Sequence, residues 1–222
     1  EITKKFPEII SVYVSIQDQI SDTAVTPTST LLFGKSHLIE TLGSLKFKIS
    51  PQSFFQTNSK QAEVLYNTIR ETADLKKTDT LLDLYCGTGT IGMYLSDLVS
   101  EVIGIEEVPQ AVADAKENAK LNNITNTNFY CGRVKNVLKE VQFKADCVII
   151  DPPRSGMSKK AIKRILEINS PQLIYVSCNH MTLLRDLNEL EAAGYKVQSY
   201  QPIDMFPNTF HLESIVKCTK ES

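Results

Sequence analysis

The fold of this 222-residue chain is decided by Leu81-Leu82-Asp83-Leu84-Tyr85-Cys86-Gly87-Thr88-Gly89-Thr90-Ile91-Gly92. An apolar run of strand character leads straight into closely spaced glycines, and a helical pattern takes over after Thr90. The stretch therefore reads as the first strand, turn and helix of a nucleotide-binding sheet. Glycine lets the backbone approach a ligand with no Cβ in between, and the free N–H groups opening the next helix favour an electron-rich one. The next apolar run, Val102 to Ile105, ends at Glu106, 19 residues past Gly87, where a ribose-binding acid belongs. Taken alone, Gly87, Gly89 and Gly92 also match the dinucleotide pattern G-x-G-x-x-G, so a nicotinamide or flavin enzyme stays open at this point.

Outward from this stretch, strands and helices alternate. Strands are expected at Leu81 to Leu84, Glu101 to Ile105, Asn128 to Cys131, Cys147 to Ile150, Leu173 to Ser177, Tyr195 to Ile203 and His211 to Cys218. Helices are expected near 59–73, 90–98, 109–122, 134–140, 158–168 and 181–193. Alternation implies parallel strands joined by crossover helices, with ligands at the strands' carboxyl ends. The short connection Asp204 to Phe210 makes the last two strands antiparallel. The fold class is thus α/β, a Rossmann-like class I methyltransferase domain with a mostly parallel sheet and an antiparallel C-terminal strand. Residues 51–222 form this domain. Residues 1–50, with short β-branched pieces at Ile9 to Ile16, Leu31 to Phe33, His37 to Ile39 and Leu45 to Ile49, form a β-rich N-terminal appendage too small for its own core.

Composition narrows the class further. Hydrophobic residues at 42% and charged ones at 23% disfavour a disordered chain, and no apolar run approaches the ~20 residues of a membrane span. The five cysteines include no C-x-x-C pair and are odd in number, which suits a reduced, cytoplasmic protein with neither zinc nor an iron–sulfur cluster. A net charge of −2 announces no nucleic-acid binder, so a polyanionic partner must meet a local patch. With Glu1 first and no initiator Met, a fragment or processed product is expected.

Three strand ends carry unusual polar residues. Asp151-Pro152-Pro153-Arg154 follows the run Cys147 to Ile150, and its two prolines fix a rigid turn that holds a carboxylate and a guanidinium at the cleft mouth. Val176-Ser177-Cys178-Asn179 puts a cysteine where a strand opens into a loop, on the sheet edge shared by Gly87, Glu106 and Asp151. A thiolate there is a candidate nucleophile. The third end is Met205-Phe206-Pro207-Asn208-Thr209-Phe210-His211-Leu212-Glu213. A strand beginning near Phe210 projects His211 and Glu213 to one face, with Glu213 as a candidate base.

In order and spacing, Ser53-Phe54-Phe55-Gln56-Thr57-Asn58, Asp83-Leu84-Tyr85-Cys86-Gly87, Gly104-Ile105-Glu106, Asp151-Pro152-Pro153-Arg154, Ser177-Cys178-Asn179, and Met205-Phe206-Pro207 with His211-Leu212-Glu213 resemble the S-adenosylmethionine-dependent RNA uracil-5-methyltransferases. The resemblance runs through most of the chain and implies S-adenosylmethionine in place of a dinucleotide. It implies cofactor contacts at Gln56, Tyr85, Thr90, Glu106 and Asp151, a nucleophile at Cys178 and a base at Glu213. It also implies a ribosomal or transfer RNA substrate, with Arg154 and Asn179 as helpers of Asp151, and no membrane or metal partner. A monomer is expected. Two departures stand out: His180 replaces the proline usual after Ser-Cys-Asn, and Arg133-Val134-Lys135 stands where an acidic residue usually meets adenine. The family's usual N-terminal RNA-binding barrel is missing from these residues. The alternatives are a cofactor-binding fragment inactive on RNA, a cytosine-5 RNA methyltransferase, and an NAD-dependent oxidoreductase that gives Cys178 and Glu213 no role. Arg154, Lys159, Lys160, Lys163 and Arg164 form a basic run that suits either phosphates or a solvated helix face.

Overall fold

The computed structural model describes residues 2–16 and 29–220, so residues 17–28 of the expected appendage lie outside it. In chain order the elements are α1 (Ile2–Lys5), β1 (Ser11–Ser15), β2 (Ser29–Gly34), β3 (Leu38–Leu42), β4 (Leu45–Ile49), α2 (Ser59–Thr72), β5 (Thr80–Leu84), α3 (Thr90–Leu95), β6 (Glu101–Glu106), α4 (Pro109–Leu121), β7 (Thr127–Cys131), α5 (Val134–Glu140), β8 (Cys147–Ile150), α6 (Lys159–Ile168), β9 (Gln172–Ser177), α7 (His180–Ala192), β10 (Tyr195–Ile203) and β11 (Glu213–Lys220). Seven strands form the main sheet in the order β10-β11-β9-β8-β5-β6-β7. The five strands from β9 to β7 run parallel, and β11 pairs antiparallel with both β9 and β10. This is the α/β, Rossmann-like class I methyltransferase arrangement expected from the alternation. The chain crosses from β5 outward to β6 and β7 on one side and to β8 and β9 on the other. A crevice for a ligand therefore opens at the carboxyl ends of β5 and β8.

Period-two alternation along the strands builds two cores. Leu81, Val102, Cys147, Ile149, Ile174, Val176 and Ile215 pack with α2 and α3 on one face of the sheet. Leu82, Leu84, Ile103, Ile105, Val148, Ile150, Leu173 and Tyr175 pack with α5, α6 and α7 on the other. The N-terminal strands form two separate hairpins, β1–β2 and β3–β4. The second is built into the first core, where Leu42 and Phe47 are fully buried. Its β4 edge is bound by two asparagines, Asn118 of α4 and Asn122 at the C-terminal cap of that helix, acting as a substitute strand. Asn118 Oδ1 accepts from Lys48 N at 2.6 Å and Asn122 Oδ1 from Lys46 N at 2.8 Å, while their amides donate back to the carbonyls of the same lysines.

Two expectations need correction. The last strand begins at Glu213, so Phe210 and His211 lie in the preceding loop rather than on alternating strand faces. The hydroxyl of Thr209 causes this: it donates to Phe206 O at 2.8 Å and accepts from His211 N at 3.2 Å, which takes the backbone donor that a ladder would need. Asn208 supports the turn with φ 77°, a left-handed conformation that Asn tolerates. The other omission is α1, a single turn too short to show periodicity.

Candidate active site

The glycine turn after β5 is held open by left-handed backbone. Tyr85, Gly87 and Gly89 have φ of 63°, 55° and 79°. A Cβ at Gly89 would lie 2.7 Å from Met93 Cε and 2.9 Å from Phe129 Cζ, so both conformation and space require glycine there. Glu106 closes the neighbouring edge. Its Oε2 accepts from Gly87 N at 3.0 Å and its Oε1 from Val108 N at 2.8 Å, which locks the carboxylate against the turn. Beneath the turn Asp83 is fully buried, with Oδ2 accepting from Gly92 N at 2.9 Å. Burial, with the Asp151 and Glu106 charges adding to it, pushes the Asp83 carboxyl up to about 7. Asp83 Oδ1 and the buried Thr88 Oγ1 have no hydrogen-bond partner among the described residues. Such atoms are costly unless a ligand or water meets them, so the turn fits a group bearing polar substituents.

A second wall comes from the segment between β4 and α2. The fully buried Asp114 of α4 accepts from Ser50 N at 3.1 Å, Ser50 Oγ at 2.9 Å, Ser53 Oγ at 2.8 Å and Gln110 Nε2 at 3.1 Å. At the far end Asn58 caps α2 through Gln61 N and donates to Met205 O at 3.0 Å. Tied at both ends, the arm lays Phe54, Phe55 and Gln56 over the turn. The resulting cleft is lined by four residues singled out in the sequence, Gln56, Tyr85, Thr90 and Asp151, together with Phe54 and Tyr66. Tyr66 escaped the sequence reading because it occupies an apolar position of an amphipathic helix; its hydroxyl donates to Thr90 Oγ1 at 3.2 Å. Tyr85 is also a wall of an adjoining cavity of about 190 Å³ whose lining includes Glu107, Arg133 and Lys135. Arg133 Nε donates to Glu107 Oε2 at 3.1 Å at that cavity.

The chemistry-bearing side chains meet at the carboxyl ends of β8 and β9. The antiparallel register pairs Ser214 with Ser177, so the residues one step along each chain, Glu213 and Cys178, face each other across the end of the ladder. Glu213 is buried and Cys178 half-buried. Burial, with the Asp151 charge beside it, pushes the Glu213 carboxyl up to about 8. Burial likewise pushes Asp151 up to about 7. The Cys178 thiol is raised by burial first and then by the Glu213 and Asp151 charges, with Arg154 pulling the other way. Asn179 is taken up largely with architecture. Its Oδ1 accepts from Met181 N at 3.0 Å to cap α7, and its Nδ2 donates to Arg154 O at 3.0 Å. His180 is exposed at the first position of α7.

Cys178, Glu213 and Asp151 therefore form one cluster, Gln56, Tyr85, Thr90 and Asp151 form the cleft, and Glu106 backs the turn, with Asp151 common to both groups. Among the described residues no group of three or more His, Cys, Asp or Glu is placed to hold a metal ion, and no helix is long and apolar enough to cross a membrane.

A family model described as tRNA (uracil-5-)-methyltransferase matches residues 31–221. A protein of Clostridium tetani described as an uncharacterized RNA methyltransferase is 45% identical over 208 residues, covering 94% of this chain and 46% of the relative. One of Clostridium acetobutylicum with the same description is 47% identical over 201 residues, covering 90% and 44%. The crystal structure of Pyrococcus abyssi tRNA (uracil-54, C5)-methyltransferase in complex with S-adenosyl-L-homocysteine superposes with a TM-score of 0.79 at 32% identity, covering 98% of this chain and 53% of that one. The chain spans about half the length of the curated relatives it matches.

Proposed function

Since this chain belongs to the tRNA (uracil-5-)-methyltransferase family, we propose that it carries the catalytic site of an S-adenosylmethionine-dependent RNA uracil-5-methyltransferase. The single observation that carries the reading is the register that sets Glu213 across from Cys178 beside Asp151, at the mouth of the glycine-turn cleft. An oxidoreductase needs no such pair.

When bound, S-adenosylmethionine supplies an electrophilic methyl group. Gln56, Tyr85, Thr90 and Asp151 would hold it, with Glu106 at the ribose hydroxyls and the unpartnered Asp83 Oδ1 and Thr88 Oγ1 available to its polar groups or their water. Uracil C5 is a poor nucleophile, so Cys178 Sγ, as thiolate, forms a bond to C6 and the electron pair displaced from the ring double bond activates C5. Once C5 has been methylated, Glu213 in its ionised form takes the C5 proton. The pair left behind restores the C5–C6 double bond as the C6–Sγ bond breaks and returns the thiolate. Asp151 would orient the uracil edge, and Arg154, which already draws the Cys178 thiol down, would offset charge on the sulfur. The target base must leave its stack to reach Cys178.

Mass spectrometry of the protein with S-adenosylmethionine and a stem-loop RNA containing 5-fluorouridine tests this. Fluorine at C5 cannot leave as a proton, so the wild-type chain should accumulate a covalent RNA adduct that Cys178→Ala does not form. Cofactor binding without an adduct on a bound RNA would sink the covalent mechanism, and failure to bind S-adenosylmethionine would sink the whole reading.

A further inference from the structure

The structure separates charge in a way that the net value conceals. Residues 133–139 and 154–166 hold eight of the 24 Lys and Arg and none of the 26 Asp and Glu, leaving 16 basic against 26 acidic residues elsewhere. These two segments cover α5 and α6 up to their last residues, where Glu140 and Glu167 stand, with part of the turns before them, and the two helices lie side by side on the same face of the sheet. Resting on the methyltransferase reading, we propose that this face, through Lys139, Arg154, Lys159, Lys160 and Lys163, is the surface that holds the sugar-phosphate backbone of the RNA strand whose base enters at Cys178.

Three observations bear on it. First, the cations are available. Arg133 pairs with Glu107 and Arg164 with Glu167, whereas these five make no ion pair among the described residues. Lys139, Lys159, Lys160 and Lys163 are exposed. Second, two of them stand where folding disfavours them. Lys159 and Lys160 open α6, whose first turn holds no acid, and a cation at a helix N-terminus opposes the helix dipole. An acid there would serve the helix better, so the placement favours a negatively charged partner. Third, the face is fixed relative to the nucleophile. The carbonyl of Arg154 accepts from Asn179 Nδ2 at 3.0 Å and Thr182 Oγ1 at 3.3 Å, and Met157 N donates to Asp186 of α7 at 2.7 Å. The turn leading into α6 is thereby tied to the segment that follows Cys178. A strand tracked along α6 toward its first turn is led to the segment that follows Cys178.

Binding of the 5-fluorouridine stem-loop, measured as a function of salt concentration, tests the proposal. Lys159→Gln/Lys160→Gln/Lys163→Gln should weaken affinity at least about tenfold at low salt. It should also flatten the slope of log K against log salt by about 2, since each single-strand phosphate contact contributes about 0.7. Calorimetric binding of S-adenosylmethionine, and the Cys178 adduct at saturating RNA, should be unchanged. A control, Lys76→Gln/Lys116→Gln/Lys120→Gln, removes the same charge from exposed sites elsewhere and should leave the slope near that of the wild type. Equal slopes in the triple variant and the wild type would overturn the surface while leaving the methyltransferase reading intact. An equal loss in both triple variants would reduce the effect to net charge and also overturn it. A wild-type chain that binds S-adenosylmethionine but no RNA would remove both.

Discussion

Glu213 shows how one buried side chain ties reactivity to stability. Its carboxyl is held up to about 8 by burial and by Asp151, against an ordinary value of 4.5. Between those two values the folded chain binds a proton that the unfolded chain has released. Stability must therefore fall as pH rises from about 4.5 to 8, while the fraction of Glu213 able to act as base grows. Each unit of such a shift is worth about 1.4 kcal/mol. Glu213→Gln removes the buried charge and should melt at least about 4 °C above the wild type at pH 9, with the gap closing near pH 5. The same variant cannot take the C5 proton, so with ordinary uridine RNA it should accumulate the covalent adduct that the wild type resolves. Melting curves at the two pH values and mass spectra of the complex check both. A variant that is no more stable at pH 9 than the wild type would mean that Glu213 is well solvated. Wild-type turnover should also rise from pH 6 to about 8, because the Glu213 carboxyl and the raised Cys178 thiol both gain their reactive forms in that direction.

Among the elements, the arm from Ser50 to Asn58 has no regular structure of its own and depends on Asp114 for its shape. Three of the arm's donors converge on that one carboxylate; a hydrogen bond to a charged group is worth roughly 1.5–3 kcal/mol net of the water contacts it replaces, and three sharing one carboxylate do not add in full. Asp114→Ala should cost about 3 kcal/mol of stability and weaken S-adenosylmethionine binding about tenfold or more by freeing Gln56 and Phe54. Asp114→Asn, which keeps one acceptor oxygen, should do less of both. Calorimetry that found the alanine variant destabilised yet binding cofactor at full strength would show that Asp114 serves the fold alone. The sequence revealed the arm's motif but not its anchor, because Asp114 reads as one more polar residue on the exposed side of a helix. Tyr66 was hidden in the same way within the apolar stripe of α2. Strand ends were easier: Asp151 follows the apolar run Cys147 to Ile150, and Ser177 and Cys178 follow Leu173 to Val176, so the change of residue type there marks the sheet's edge. The start of β11 was misplaced because the competing hydrogen bonds of Thr209 leave no trace in hydrophobic periodicity.

At the scale of the whole molecule, the N-terminal residues divide by what they bury. Among the described residues the β1–β2 pair leaves Val14, Leu31, Leu32 and Phe33 exposed and pairs only with itself, whereas β3–β4 delivers Leu42 and Phe47, both 0% exposed, into the core that α2 also closes. Burying a large apolar side chain is worth about 1.5–3 kcal/mol, so those two residues together contribute about 3–6 kcal/mol. Against a typical total of about 5–15 kcal/mol, that is a large share. Removal of the hairpin would also strip Asn118 and Asn122 of the backbone groups they bind, and would detach the arm that lays Gln56 over the glycine turn. A chain starting at Ser36 should accordingly melt in one cooperative transition and bind S-adenosylmethionine about as tightly as the full chain. A chain starting at Pro51 should lose most of its stability and its cofactor affinity together. Calorimetry and thermal melts of the two truncations separate the possibilities. If the shorter chain kept both properties, β3–β4 would be an ornament on a self-sufficient domain. If it kept neither while the longer chain kept both, the cofactor site would begin at the β3–β4 hairpin.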